Sequence, residues 1–215
     1  MKFPIFASLI VFCLWLKFHM DRSSKQADSK SESFWEREAK ANSTRRKSLD
    51  NLEYISIPHD LLVLDSTIVN SFSENYRFKD AVESLEYLSS RKIVNLTGYT
   101  NTDLKLEYGA PNINLLMEFD LNYTTLARNL QVLAEELFEA GYITEAKTVL
   151  EFAISTRTDV SQSYYLLADI YERDCEPNKI ESLIDTAESL NTVMKKSIVR
   201  TLQESGPYSG LLRSL

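Results

Sequence analysis

Acid–base and nucleophilic chemistry need titratable groups gathered in a pocket, and this chain offers few. Its histidines are His19 and His59 and its thiols Cys13 and Cys175, and no two of them share metal-ligand spacing. Asp103, Asp120, Asp159 and Asp169 are candidate acids or bases, but they lie scattered. No G-x-S-x-G, H-E-x-x-H or phosphate-binding glycine loop occurs. The five glycines form no cradle. The expectation is therefore a non-enzyme without a catalytic residue, metal or cofactor.

Recognition is better supplied, in two places. The first is a loop over 95–109, where Asn95, Thr97, Tyr99, Asn101, Thr102 and Asp103 form a polar-aromatic set. These types also satisfy free backbone groups in turns and caps, which is the alternative reading. Were the chain an enzyme, this loop would have to line the pocket. The second place is a helix face: Arg128, Gln131, Glu135 and Phe138, followed one helix pair later by Tyr165, Asp169, Glu172 and Arg173. Its charge is mixed and tends acidic, which suits another protein or peptide that is basic or amphipathic. The alternative is an ordinary solvated face.

The elements that position this face repeat every 34 residues. Leu130, Leu133, Ala134, Leu137, Ala146, Leu150 and Ala153 are answered by Tyr164, Leu167, Ala168, Tyr171, Ile180, Ile184 and Ala187. Apolar side chains at i, i+3, i+4 and i+7 make one helix stripe. The expectation is an all-α fold with helices over about 120–140, 143–156, 160–174, 177–190 and 192–204. A short helix over 113–119 precedes them, and Gly141 and Pro177 punctuate them. Upstream, Tyr76, Ala81, Val82, Leu85 and Leu88 predict a helix over 73–90, a cap at Asn101 or Thr102 starts one over 103–108, and 49–64 reads as an extended arm.

The period and these positions resemble the tetratricopeptide repeat. Ala134 and Ala168 stand where that family prefers glycine, and Thr158 and Thr192 where proline is common. The stretches SFWEREAKANSTRRKSLDNLEYI, KIVNLTGYTNTDLKLEYGA and MKKSIVRTLQE also resemble an uncharacterised family of membrane-anchored proteins in anaerobic Gram-positive bacteria. That likeness implies a bacterial source and one N-terminal anchor.

The anchor has its own sequence argument. Residues 3–16 (FPIFASLIVFCLWL) are apolar but for Ser8. At about 1.5 Å per residue this is short for a bilayer, and Lys17 extends it to about Met20 by snorkelling. A cleaved signal peptide has the same length, but no small-x-small site follows Leu16. Lys17, Arg22, Lys25 and Lys30 follow the span, placing the body in the cytoplasm of a single-pass membrane protein, with an extracytoplasmic body as the alternative. The expected organisation is an anchor over 1–20, a juxtamembrane tether and short helix over 21–48, the arm and capping helices over 49–120, repeats with a C-terminal capping helix over 121–205, and a tail over 206–215.

The helix over 34–47 starts from a Ser33/Glu36 capping box. It sets Arg45, Arg46 and Lys47 near anionic lipid, with Phe34 and Trp35 at the headgroups or docked on the body. Residues 21–50 carry 8 Lys/Arg against 6 Asp/Glu, and residues 51–215 carry 14 against 25. So acidic a body does not suit nucleic acid. The function this implies is a membrane-tethered helical-repeat adaptor or scaffold. The alternative is a structural subunit that self-associates at the membrane.

Overall fold

The computed structural model describes Phe12, residues 15–19 and residues 31–205. The described chain is all-α and contains no strand, only an isolated antiparallel bridge pairing Tyr54 with Val94. Its helices are α1 (residues 31–43), α2 (His59–Leu62), α3 (Ser66–Ser71), α4 (Tyr76–Ser89), α5 (Asn101–Tyr108), α6 (Ile113–Glu139), α7 (Ile143–Ser155), α8 (Ser161–Arg173), α9 (Pro177–Ser189) and α10 (Lys195–Ser205). The chain divides into two compact units. One joins the residues up to Ser48 to Thr100–Ile113, and the other joins Leu49–Tyr99 to the residues from Asn114 onward.

In the first unit, α1 ends where the hydroxyls of Ser43 and Thr44 turn back to the Lys40 carbonyl. This stops the helix short of the basic triplet that the sequence places inside it. Arg46 and Lys47 are then used internally. Arg46 donates to Asn112 Oδ1 at 2.9 Å, and Lys47 Nζ donates to the Leu106 carbonyl at 3.0 Å. The buried Asn112 amide donates in turn to the carbonyls of Lys47 and Tyr108, both at 2.8 Å. Gly109 follows α5 at φ +94°, and a Cβ there would stand 2.2 Å from the Arg45 carbonyl oxygen. Only glycine fits that approach. Phe34 and Trp35 are exposed and meet edge to face at 5.4 Å.

The second unit has one apolar core, from Leu61 through α4 and α6 to Leu202. Leu130, Leu133, Leu137, Leu150, Tyr164 and Leu167 are among its largest fully buried side chains, at the register the 34-residue period requires. The period extends to the helix ends. Gly141 takes φ +87°, with its N–H on the Phe138 carbonyl and the Tyr142 N–H on that of Leu137. Thirty-four residues on, Cys175 takes φ +58°, with the same pair of bonds from Cys175 to Glu172 and from Glu176 to Tyr171. Both ends are Schellman turns.

Several expectations are corrected here. No helix among the described residues is long and apolar enough to cross a membrane. The single-pass anchor over 3–20, the membrane as a partner, and the cell-membrane location of the body are therefore not upheld. Within that segment the described residues are Phe12 and 15–19, which are helical. The rest of the segment, the tether at 21–30 and the tail at 206–215 lie outside the described residues. Helix α6 is continuous rather than broken before Asp120, because neither glycine nor proline interrupts 113–139. The Asp120 carboxylate does not start a helix there but accepts the Leu96 N–H at 3.2 Å. The arm at 49–64 is not extended throughout, because it turns at 50–52, where the Leu52 N–H donates to the Leu49 carbonyl, and enters α2 after Pro58.

Candidate functional site

The helix face predicted for partner binding lies on α6 and α8, and its eight residues divide into two groups. Two are taken up by the fold. Gln131 is buried, donates to Glu135 Oε1 at 2.8 Å and accepts from the buried Ser163 hydroxyl at 2.6 Å. Glu135 lies 3.3 Å from Arg77 of α4, whose guanidinium also meets the buried Glu136 at 2.9 Å. Asn75, the N-cap of α4, donates to the same Glu136 at 2.5 Å. Thus α4 closes one side of the face. Sequence reasoning missed Asn75 and Arg77, because partners some sixty residues apart leave no periodic signal.

The other six remain at the surface. Phe138 and Tyr165 are half-buried rings resting on the core. The Arg173 guanidinium lies over the Phe138 ring, 4.8 Å from its centroid, and pairs one turn away with Asp169 at 2.9 Å. Arg128 and Glu172 are exposed. The face presents two rings, and two of its three acidic groups, Glu135 and Asp169, already hold arginines, while Glu172 is exposed.

The loop residues fall into both units, and each side has its own employment. In the second unit, Asn95 closes the end of α7 by donating to the carbonyls of Thr156 at 2.9 Å and Arg157 at 3.1 Å. Its own Oδ1 accepts the Thr97 N–H at 2.9 Å. Tyr99 is exposed. In the first unit, Thr100 caps α5 in a reciprocal capping box with Asp103. The hydrogen bonds from Thr100 hold the Asp103 carboxyl below its usual range, and Arg37 reinforces them. Thr102 donates to Glu38, and Asn101 is exposed as the first residue of α5.

The remaining scattered carboxylates and the shifted phenols have structural partners. Asp159 accepts from Thr192 at 3.1 Å. Burial raises the pKa of Asp120, whose one backbone donor only partly offsets it. Burial pushes the Tyr123 phenol up to about 12 while its hydroxyl donates to the Thr156 carbonyl at 3.2 Å. Tyr164 is shifted upward by the same cause and donates to the Thr158 carbonyl at 3.0 Å. These are neutral donors tying loops to the core. No group of three or more His, Cys, Asp or Glu able to hold a metal ion occurs among the described residues.

The fold and face define an all-α protein built on two successive helix hairpins, α6/α7 and α8/α9. No family model, curated protein or solved structure matches the chain. The expected membership in the tetratricopeptide repeat family is overturned by that result, and so is membership in the membrane-anchored family of anaerobic Gram-positive bacteria. The 34-residue hairpin period stands as a property of this chain.

Proposed function

We propose that the chain is a protein-binding domain that takes an amphipathic polypeptide on the α6/α8 face, without catalysing a reaction. The observation that carries this reading is the Phe138–Arg173 stack, with Tyr165 half-buried two turns earlier on α8. Tyrosine and arginine, anchored on rigid elements, are the side chains that most often dominate binding energy at protein interfaces. Rings already half-buried on the core lose little freedom when a partner covers them. With Glu135 and Asp169 already held by arginines, apolar anchors on the partner are favoured over a strongly basic segment. The carboxylates that catalysis would draw on are instead occupied, Asp103 in a cap, Asp120 and Asp159 in loop ties and Asp169 in an ion pair with Arg173.

The test is photocrosslinking in the native host from positions 138 and 165, with position 188 on α9 as control, followed by mass spectrometry. The expected result is one product shared by 138 and 165 and absent from 188. Identical products from all three positions, or none from 138 and 165, would overturn the reading.

A further inference from the structure

A second feature shares only α8 with the α6/α8 face and does not depend on that face. Helices α7, α8 and α9 line an open cleft of about 320 Å³. That volume is at the lower end of the range typical of small-molecule sites. Its floor is formed by the buried core side chains of Ile154, Leu167 and Leu183. Glu151, Arg157 and Lys179 line it as well.

The charges of that lining are not equivalent. Glu151 is already engaged, accepting from the Tyr171 hydroxyl at 3.0 Å and lying 3.6 Å from Lys179 Nζ. Lys179 pairs more closely with Glu176, at 3.0 Å, and stands over the Tyr171 ring at 5.2 Å. Arg157 differs. Its carbonyl is held by Asn95, but its guanidinium has no hydrogen bond or ion pair among the described residues. Its backbone sits at φ +58°, a conformation costly for a residue with a side chain. Lys179 is thus neutralised by two carboxylates, and Arg157 is the lining cation without an ion pair among the described residues, in a body carrying 25 Asp/Glu against 14 Lys/Arg over residues 51–215.

From this we infer that the α7–α9 cleft binds a small organic anion with an apolar body, of the aromatic or branched-chain carboxylate class. The apolar side chains bury the body of the ligand. The Arg157 guanidinium, a planar fork without a partner among the described residues, takes the carboxylate. Lys179 lines the wall while remaining paired with Glu151 and Glu176.

The test titrates the full chain with 2-naphthoate, followed by amide shifts in 1H–15N spectra. Saturable shifts centred on Ile154, Arg157 and Leu183 are expected. Arg157→Asn, whose side chain tolerates a left-handed backbone, should weaken binding at least tenfold and leave shifts remote from the cleft unchanged. The uncharged 2-naphthalenemethanol should bind the native chain at least tenfold more weakly than the acid. Thr186→Trp, which fills the cleft, should abolish saturation. Shifts centred elsewhere, no saturation in the native chain, or equal affinity in Arg157→Asn would overturn the assignment.

Discussion

At the scale of single residues, the ends of α6 and α8 form a natural pair. Gly141 and Cys175 hold the same left-handed turn 34 residues apart, but only the glycine does so without a side-chain penalty. No atom stands within 4 Å of where a Gly141 Cβ would lie, so backbone strain alone sets the cost of replacing it. Cys175→Gly should therefore stabilise the protein by about 0.5–1 kcal/mol, the strain relieved exceeding the entropy glycine adds to the unfolded chain. Gly141→Ala should cost about 1 kcal/mol. Urea unfolding of the two variants checks both signs. Asp120 makes a pH argument. Burial raises its folded pKa, so its contribution is most favourable when protonated, below the unfolded carboxylate value, and is lost as pH rises through the raised one. Asp120→Asn keeps an acceptor for the Leu96 N–H and removes the charge. It should raise the melting midpoint at pH 7 and lose that advantage towards pH 4.

At the scale of elements, α6 and α8 are joined by more than their apolar stripes. The Gln131–Ser163 hydrogen bond is buried at both ends, and a buried polar atom that loses its partner incurs the full desolvation penalty. Ser163→Ala leaves Gln131 Oε1 unpaired and should cost about 1–3 kcal/mol in chemical unfolding. The double variant Ser163→Ala/Gln131→Leu should recover part of that loss. Equal stability of the single variant and the native chain would show that this link does not hold the hairpins together. The same geometry explains why Gln131 is unavailable to a ligand although its helix position resembles that of Tyr165. The two residues share a register, but Gln131 is buried and bonded to Ser163 of the neighbouring helix, whereas Tyr165 is half-buried.

At the scale of the whole molecule, the first unit depends on the close approach of Gly109 to Arg45. Gly109→Ala forces a Cβ into a backbone carbonyl at a glycine-only φ and should cost about 3 kcal/mol locally. The Lys47 and Ala110 amides, which bond to the carbonyls of Tyr108 and Thr44, should then exchange roughly 100-fold faster, as hydrogen exchange would read. What the sequence alone determined was the periodic part: the all-α class, the buried stripes of α6–α8 and most of those of α4 and α9, where Phe78 and Leu183 are buried while Tyr76 is exposed and Ile184 half-buried, the left-handed end at Gly141 and the α5 helix to within two residues. Those features follow from local spacing, which a helix converts directly into a face. Spacing carries no information about pairs distant in the chain. The clamp of Arg77 on Glu135 and Glu136, the use of Asn95 to close α7, the hold of Asn112 on the basic triplet and the cleft lined by Arg157 were decided by tertiary structure, which alone brings together donors and acceptors some sixty residues apart.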